Sequence, residues 1–268
     1  MKSEQQIYAL FARFDSHLVV HSVTPLLAGL SNDNYLIRTQ HGAYLVKHYR
    51  DHWPQVGLAA QAHFAKRGCC PALLWHEQAT QVAIFEYIEG QIISGAFTQQ
   101  LLIHLVTIHR HTVKTRMMDI GYELEYYRST AHYRQYQQLI TSALNYIAEQ
   151  PIDIGFCHND LVRENIIVNA QGMFLIDFEY AKSNDVYFDL AALAVSFQLT
   201  DDKKHTLLNQ YRDLLPAEQS FHYSVKKLLA YQLVFLLLCI CWYEQRGVSE
   251  KVIPLQAQLD HLTISWAT

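Results

Sequence analysis

The hydrophobic pattern of this chain changes period once, near residue 90, and that change limits the folds open to it. Before it, apolar residues alternate. Asn34–Thr39 and Ala43–Tyr49 read as a hairpin around Gln40-His41-Gly42. Leu18–Leu27, Ala72–His76 and Gln81–Tyr87 are further strand candidates. Helices are predicted at Glu4–Phe14 and Gln55–Lys66, the second closed by Gly68 and Pro71. After the change the period is helical, with Leu101, Leu102, Leu105, Ile108 and His109 on one face. Further helices are predicted over Glu123–Glu149, Tyr187–Phe197, Asp202–Leu214, Phe221–Arg246 and Lys251–Leu262. Short strands flank two polar loops between Gly155 and Asp177. The pattern predicts an α+β protein: a small β-rich lobe over 1–88 and a larger, mainly helical lobe over 89–268. The lobes join near Glu86–Gly90, and a cleft between lobes is where ligands usually bind.

Composition narrows the partners. Half of the 268 residues are apolar and 17% are charged, which excludes a disordered chain. With 21 basic and 25 acidic residues the formal charge is −4, so neither a nucleic-acid footprint nor a polybasic membrane patch is expected. The five cysteines show no CxxC spacing and read as reduced thiols in a cytoplasm, Cys239 and Cys241 packing as small apolar residues. Met1–Ala9 has no signal-peptide core. The apolar run Leu228–Tyr243 falls short of the roughly twenty residues that cross a bilayer and is expected as a buried helix. Fifteen histidines form no metal-ligand spacing. The acids are concentrated: Asp153–Asp189 carries seven against two bases.

Within that stretch lies Cys157-His158-Asn159-Asp160-Leu161-Val162-Arg163-Glu164-Asn165. Leu175-Ile176-Asp177-Phe178-Glu179-Tyr180 follows after a hairpin, and then Phe188-Asp189-Leu190-Ala191. A carboxylate, an Asn five positions on and a second carboxylate beyond a hairpin suit magnesium–nucleotide chemistry. One Asp takes or orients the proton of an attacking hydroxyl, while the Asn oxygen and the other Asp hold Mg²⁺.

These segments resemble the catalytic loop of the protein-kinase-like phosphotransferases, in the branch of choline/ethanolamine kinases, thiamine kinases and aminoglycoside phosphotransferases. His158-Asn159-Asp160-Leu161 with Asn165 resembles that branch's HxDLxxxN, and Asp177-Phe178-Glu179-Tyr180-Ala181 its DFEYA variant. The resemblance implies a bilobal kinase-like fold that uses ATP and Mg²⁺. It implies Asp160 as catalytic base, His158 as a brace of the loop, and Asn165 and Asp177 as Mg²⁺ ligands. Asp189 would hold the loop through main-chain hydrogen bonds, a role compatible with capping the following helix. Ala28-Gly29-Leu30-Ser31-Asn32-Asp33-Asn34-Tyr35 is similar to the phosphate-facing turn, with Ser31, Asn32 and Asn34 its polar members. Lys47 on the next strand resembles the phosphate-binding cation. Glu86 and Ile88 stand in the segment whose main chain would pair with adenine.

One departure stands out. The family places a Glu on the small-lobe helix to pair with the Lys, yet no acid lies between Asp51 and Glu77. Gln55 or Gln61 is expected to hydrogen-bond Lys47 instead. For the acceptor, aromatics and carboxylates suit a cationic alcohol. Glu179 and Tyr180 near the magnesium loop, and Trp242 and Glu244 on the late helix, are the candidates, with choline or thiamine preferred. Asp153, Glu164 and Asp185 are expected to be solvated. The rival readings are an aminoglycoside or sugar phosphotransferase and a nucleotide-binding regulator weak in catalysis.

Overall fold

A strand leaves alternate side chains on one face, and the first sheet of this protein uses its apolar face to seat the N-terminal helix. The computed structural model describes residues 2–27 and 29–267. In chain order it begins α1 (Glu4–Phe14), β1 (Val20–Leu26), β2 (Asp33–Thr39), β3 (Gly42–His48), α2 (Gln55–Ala65), β4 (Leu73–Glu77), β5 (Val82–Glu86) and β6 (Gln91–Ile92). Next come α3 (Gln99–His109), α4 (Ile120–Glu125), α5 (Ala131–Gln135), α6 (Gln137–Glu149), β7 (Ile154–Cys157), β8 (Ile166–Asn169), β9 (Gly172–Leu175) and β10 (Lys182–Asp185). The chain ends with α7 (Tyr187–Ser196), α8 (Asp201–Asp213), α9 (Val225–Gln245) and α10 (Ser249–Ala267). Two compact units result. One runs to Ile93 and includes Asn165–Tyr180; the other is Ser94–Glu164 with the chain from Ala181 on.

In the first unit, strands pair antiparallel in the order β1-β2-β3-β5-β4 among the described residues. Ile7, Leu10 and Phe11 of α1 pack on Tyr35, Ile37, Val46, Val82 and Ile84. Tyr49, Leu58, Ala83 and Phe85 form a second cluster with Trp53 and Leu73. The β8–β9 hairpin joins β6 in a small sheet. It is fastened to the segment after α2 by a bond from the Leu175 N–H to the Cys69 carbonyl (2.8 Å).

The second unit is built around α9, against which α4, α5, α6, α7, α8 and α10 pack. By length and composition α9 is apolar enough to cross a membrane, and 67% of its most apolar window is buried. Leu228, Leu233, Val234, Leu236, Leu237, Ile240 and Cys241 are all fully covered.

Three expectations change. The stretch Glu123–Glu149 is not one helix but α4, α5 and α6. The Thr130 hydroxyl donates to the Tyr127 carbonyl (2.8 Å) and accepts from the Tyr133 N–H (3.3 Å), so a side chain takes over main-chain partners and restarts the helix. The last helix begins at Ser249, earlier than Lys251, and runs on to Ala267 with Pro254 inside it. Asp153 and Asp185 are buried, not solvated: Lys227 Nζ lies 2.9 Å from Asp153 and 2.7 Å from Asp185 and donates to the Pro151 carbonyl (2.6 Å). That lysine ties the start of α9 to the antiparallel β7–β10 pair. Strand β10 had no signal of its own, because Lys-Ser-Asn-Asp is polar and forms a strand by pairing with β7.

Candidate active site

In the first unit the alternation of β3 turns Lys47 to the face opposite Val46, and only 5% of the residue is exposed. A buried ammonium needs partners. Lys47 donates to Asp177, lies 3.5 Å from Glu179 and stands 5.1 Å from the Tyr49 ring centre. Burial alone would lower the Lys47 pKa, but Asp177, Tyr49 and Glu179 outweigh it and hold it raised, so the ammonium stays charged. Glu179 is itself raised, first by burial and next by Asp177. Asn32 donates to Glu179, joining the polar turn to the same group.

That turn is braced from behind. Arg50 donates to the carbonyls of Leu30 (2.5 Å) and Ser31 (2.9 Å), and His48 Nδ1 lies 3.2 Å from Asp33. Asn34 sits opposite Lys47 in the β2–β3 register, its Oδ1 buried without a partner. Ala28 lies outside the described residues. The Glu86 N–H bonds to the Ala72 carbonyl (2.9 Å) and its carboxylate accepts from the Ala72 N–H (3.3 Å), while Ile88 is half-buried.

The β8–β9 hairpin brings the two expected metal ligands to one end. Ile166 pairs with Leu175, and the Ile176 N–H bonds to the Asn165 carbonyl (3.0 Å), so Asn165 faces the residue before Asp177. Asp177 itself has a left-handed backbone (φ 67°), which aims it out of the hairpin. These are hard oxygen donors, and Asp177 with Glu179 brings two carboxylates to one lysine. That surplus of negative charge fits a divalent cation such as Mg²⁺.

The departure on α2 has its answer here. Gln61 donates to the Pro71 carbonyl (3.2 Å) and Gln55 is exposed, so neither holds Lys47. The carboxylate that the helix lacks comes from the loop, as Glu179. Glu179, expected as a substrate contact, has Lys47 and Asn32 as its partners within the first unit. Tyr180 packs beside His52 (6.0 Å between ring centres).

In the second unit β7 delivers His158, Asn159 and Asp160. Asp189, in the first turn of α7, is fully buried, and its carboxylate accepts from the main-chain N–H groups of His158 and Asn159, both at 2.8 Å. It is not the helix cap, which is Val186. His109 Nε2 lies 3.1 Å from the same carboxylate, and its Nδ1 lies 2.7 Å from the Tyr211 hydroxyl. Asn159 is left-handed (φ 64°); its amide donates to the Lys182 carbonyl (3.2 Å) and accepts from Asn184 (2.9 Å). Asp160, next in line, is half-exposed while His158 is fully buried.

His109, Asn159, Asn184 and Tyr211 are missing from the residues expected from sequence. For His109 a signal existed: a histidine on the apolar face of α3 is buried and must find polar partners. His109, Cys157 and Asp189 cluster closely enough to hold an ion. Both ring nitrogens of His109 are already engaged, and burial, then Asp189, raises the Cys157 thiol well above its ordinary value. The group reads as a brace.

On α9 the aromatic that feels the Asp160 charge is Tyr243, next in sequence to the expected Trp242. The Tyr243 hydroxyl is pushed up to about 12 by burial, then by Cys239, Glu164 and Asp160. Burial, then Asp160 and Glu164, likewise raises the Cys239 thiol. Cys239 and Tyr243 lie one turn apart, on one face. Trp242 instead carries the Arg246 guanidinium 3.8 Å from its ring centre. Glu244 accepts from the N–H groups of Ala131 (2.6 Å) and His132 (3.1 Å) at the start of α5, with His132 Nδ1 at 2.5 Å, so its carboxylate is a helix anchor.

A family model described as the phosphotransferase enzyme family matches residues 22–221. The protein LicA of Haemophilus influenzae is 40% identical over 55 residues, 20% of this chain, so the chain spans about a fifth (21%) of that relative. Thiamine kinase of Escherichia coli is 25% identical over 202 residues, 71% of each protein. Among solved structures, choline kinase LicA from Streptococcus pneumoniae superposes with a TM-score of 0.79 at 23% identity, covering 98% of this chain and 99% of that one. The fold is that of the kinase-like enzymes, and the chain belongs to the phosphotransferase enzyme family.

Proposed function

We propose that this protein transfers the γ-phosphoryl group of ATP to the hydroxyl of a small cationic alcohol, choline, ethanolamine or thiamine, with choline or thiamine preferred. The observation that carries the reading is Lys47, buried and charged, held by the two carboxylates of the Asp177-Phe178-Glu179 loop. Lys47 meets the phosphates, and Ser31, Asn32 and Asn34 line the turn that approaches them. The main chain at Glu86 and Ile88 takes the adenine. Asn165 and Asp177 hold Mg²⁺, which neutralises charge on the phosphoryl group in transfer. Asp160 accepts the proton of the attacking hydroxyl, and Asp189 and His158 keep it in place. Tyr243 and Glu164 give the side of Asp160 an aromatic face and a negative charge, which suit a cationic acceptor. Five free cysteines and the need for ATP accord with a cytoplasmic location.

The test is a panel of acceptors with labelled ATP: choline, ethanolamine, thiamine and kanamycin. Turnover of choline or thiamine is expected, falling by a factor of about 10² to 10⁴ in Asp160→Asn, the usual worth of a catalytic base. Turnover of kanamycin alone, or an unimpaired Asp160→Asn, overturns the reading.

A further inference from the structure

We propose that Glu179 is the positioning residue of the phosphate-binding lysine, replacing in this chain the carboxylate that α2 lacks. The inference rests on the reading above that Lys47 meets nucleotide phosphates. Helix α2 carries no acid, Gln61 is committed to Pro71, and Gly57 lies so close to the Phe178 carbonyl that a side chain there would collide with the loop backbone. The loop therefore closes this position of α2 to any side chain, and it brings its own carboxylate.

The two acids around Lys47 differ in one respect that divides their work. The Asp177 side chain is 30% exposed, whereas that of Glu179 is 5% exposed. An exposed carboxylate can turn to another cation; a buried one, already accepting from Asn32, stays where it is. Glu179 keeps Lys47 in position when Asp177 binds metal.

The experiment is a double-mutant cycle of Lys47→Ala and Glu179→Gln, read as ATP affinity by calorimetry in EDTA, so that no metal contributes. Each single change is expected to weaken ATP about tenfold, the worth of one charge-assisted hydrogen bond. The double variant is expected to bind no more weakly than the weaker single variant, because both act through one group. Glu179→Asp, which keeps the charge on a shorter stem, is expected to fall between wild type and Glu179→Gln, and the acceptor KM to stay within about twofold of wild type. Multiplying effects in the double variant overturn the proposal. So does a Glu179→Gln that raises only the acceptor KM or only the magnesium requirement. An unchanged ATP affinity in Lys47→Ala instead removes the nucleotide reading of Lys47, and with it the premise, while leaving the contact between Lys47 and Glu179 as a purely structural one.

Discussion

The two loops that carry the acids of this protein are held by opposite means. In the first unit Asp177 and Glu179 lean on the flexible stem of Lys47. In the second, Asp189 is held by two main-chain N–H groups and by His109, itself fastened to Tyr211. A lysine can change partners by rotating a few bonds, whereas a main-chain donor moves only if the backbone moves. In the first arrangement Asp177 can exchange Lys47 for another cation while Glu179 keeps it; the second fixes the aim of whatever follows it in sequence, Asp160.

Substitution can break this contrast. The largest effect is expected at Asp189. In Asp189→Asn the new amide turns an N–H toward donors that need an acceptor, and a cost of about 3 kcal/mol in unfolding free energy is expected. Asp177→Asn is expected to cost about 1 kcal/mol or less, because Lys47 keeps Glu179 as its charged partner. Equal losses in urea unfolding would erase the distinction. Tyr211→Phe removes only the hydroxyl that fixes His109, and about 1 kcal/mol is expected, with the denaturant slope unchanged.

The smallest effect is one of pH. His104 is 9% exposed, its Nδ1 is buried without a partner, and burial lowers its pKa below the ordinary 6.5. The unfolded chain therefore binds the proton more readily than the folded one, and stability falls as pH drops through the unfolded value. His104→Leu is expected to flatten that decline between about pH 7 and pH 5, and an unaltered melting profile across this window would assign it elsewhere.

Much of the fold was legible because it is periodic. Helix α1 is found at Glu4–Phe14 as its pattern predicts, and the β2–β3 hairpin turns at Gln40-His41, just before Gly42. The acids and amide of the two loops could be read because their spacing is local. What escaped reading is long-range. Lys47 and Asp177 are 130 positions apart, His109 and Tyr211 102, and Glu244 and His132 112, and no pattern in a single chain links such positions. The exchange of Trp242 for Tyr243 has another origin. One position is about 100° around a helix, so Trp242 and Tyr243 present different faces of α9.

Gly57 gives the first unit its stiffness. With no side chain between them, α2 and the Phe178 main chain touch backbone to backbone, and neither has a rotamer with which to absorb a displacement of the other. A shift of the Phe178 main chain toward α2 therefore finds no side chain at Gly57 to take it up.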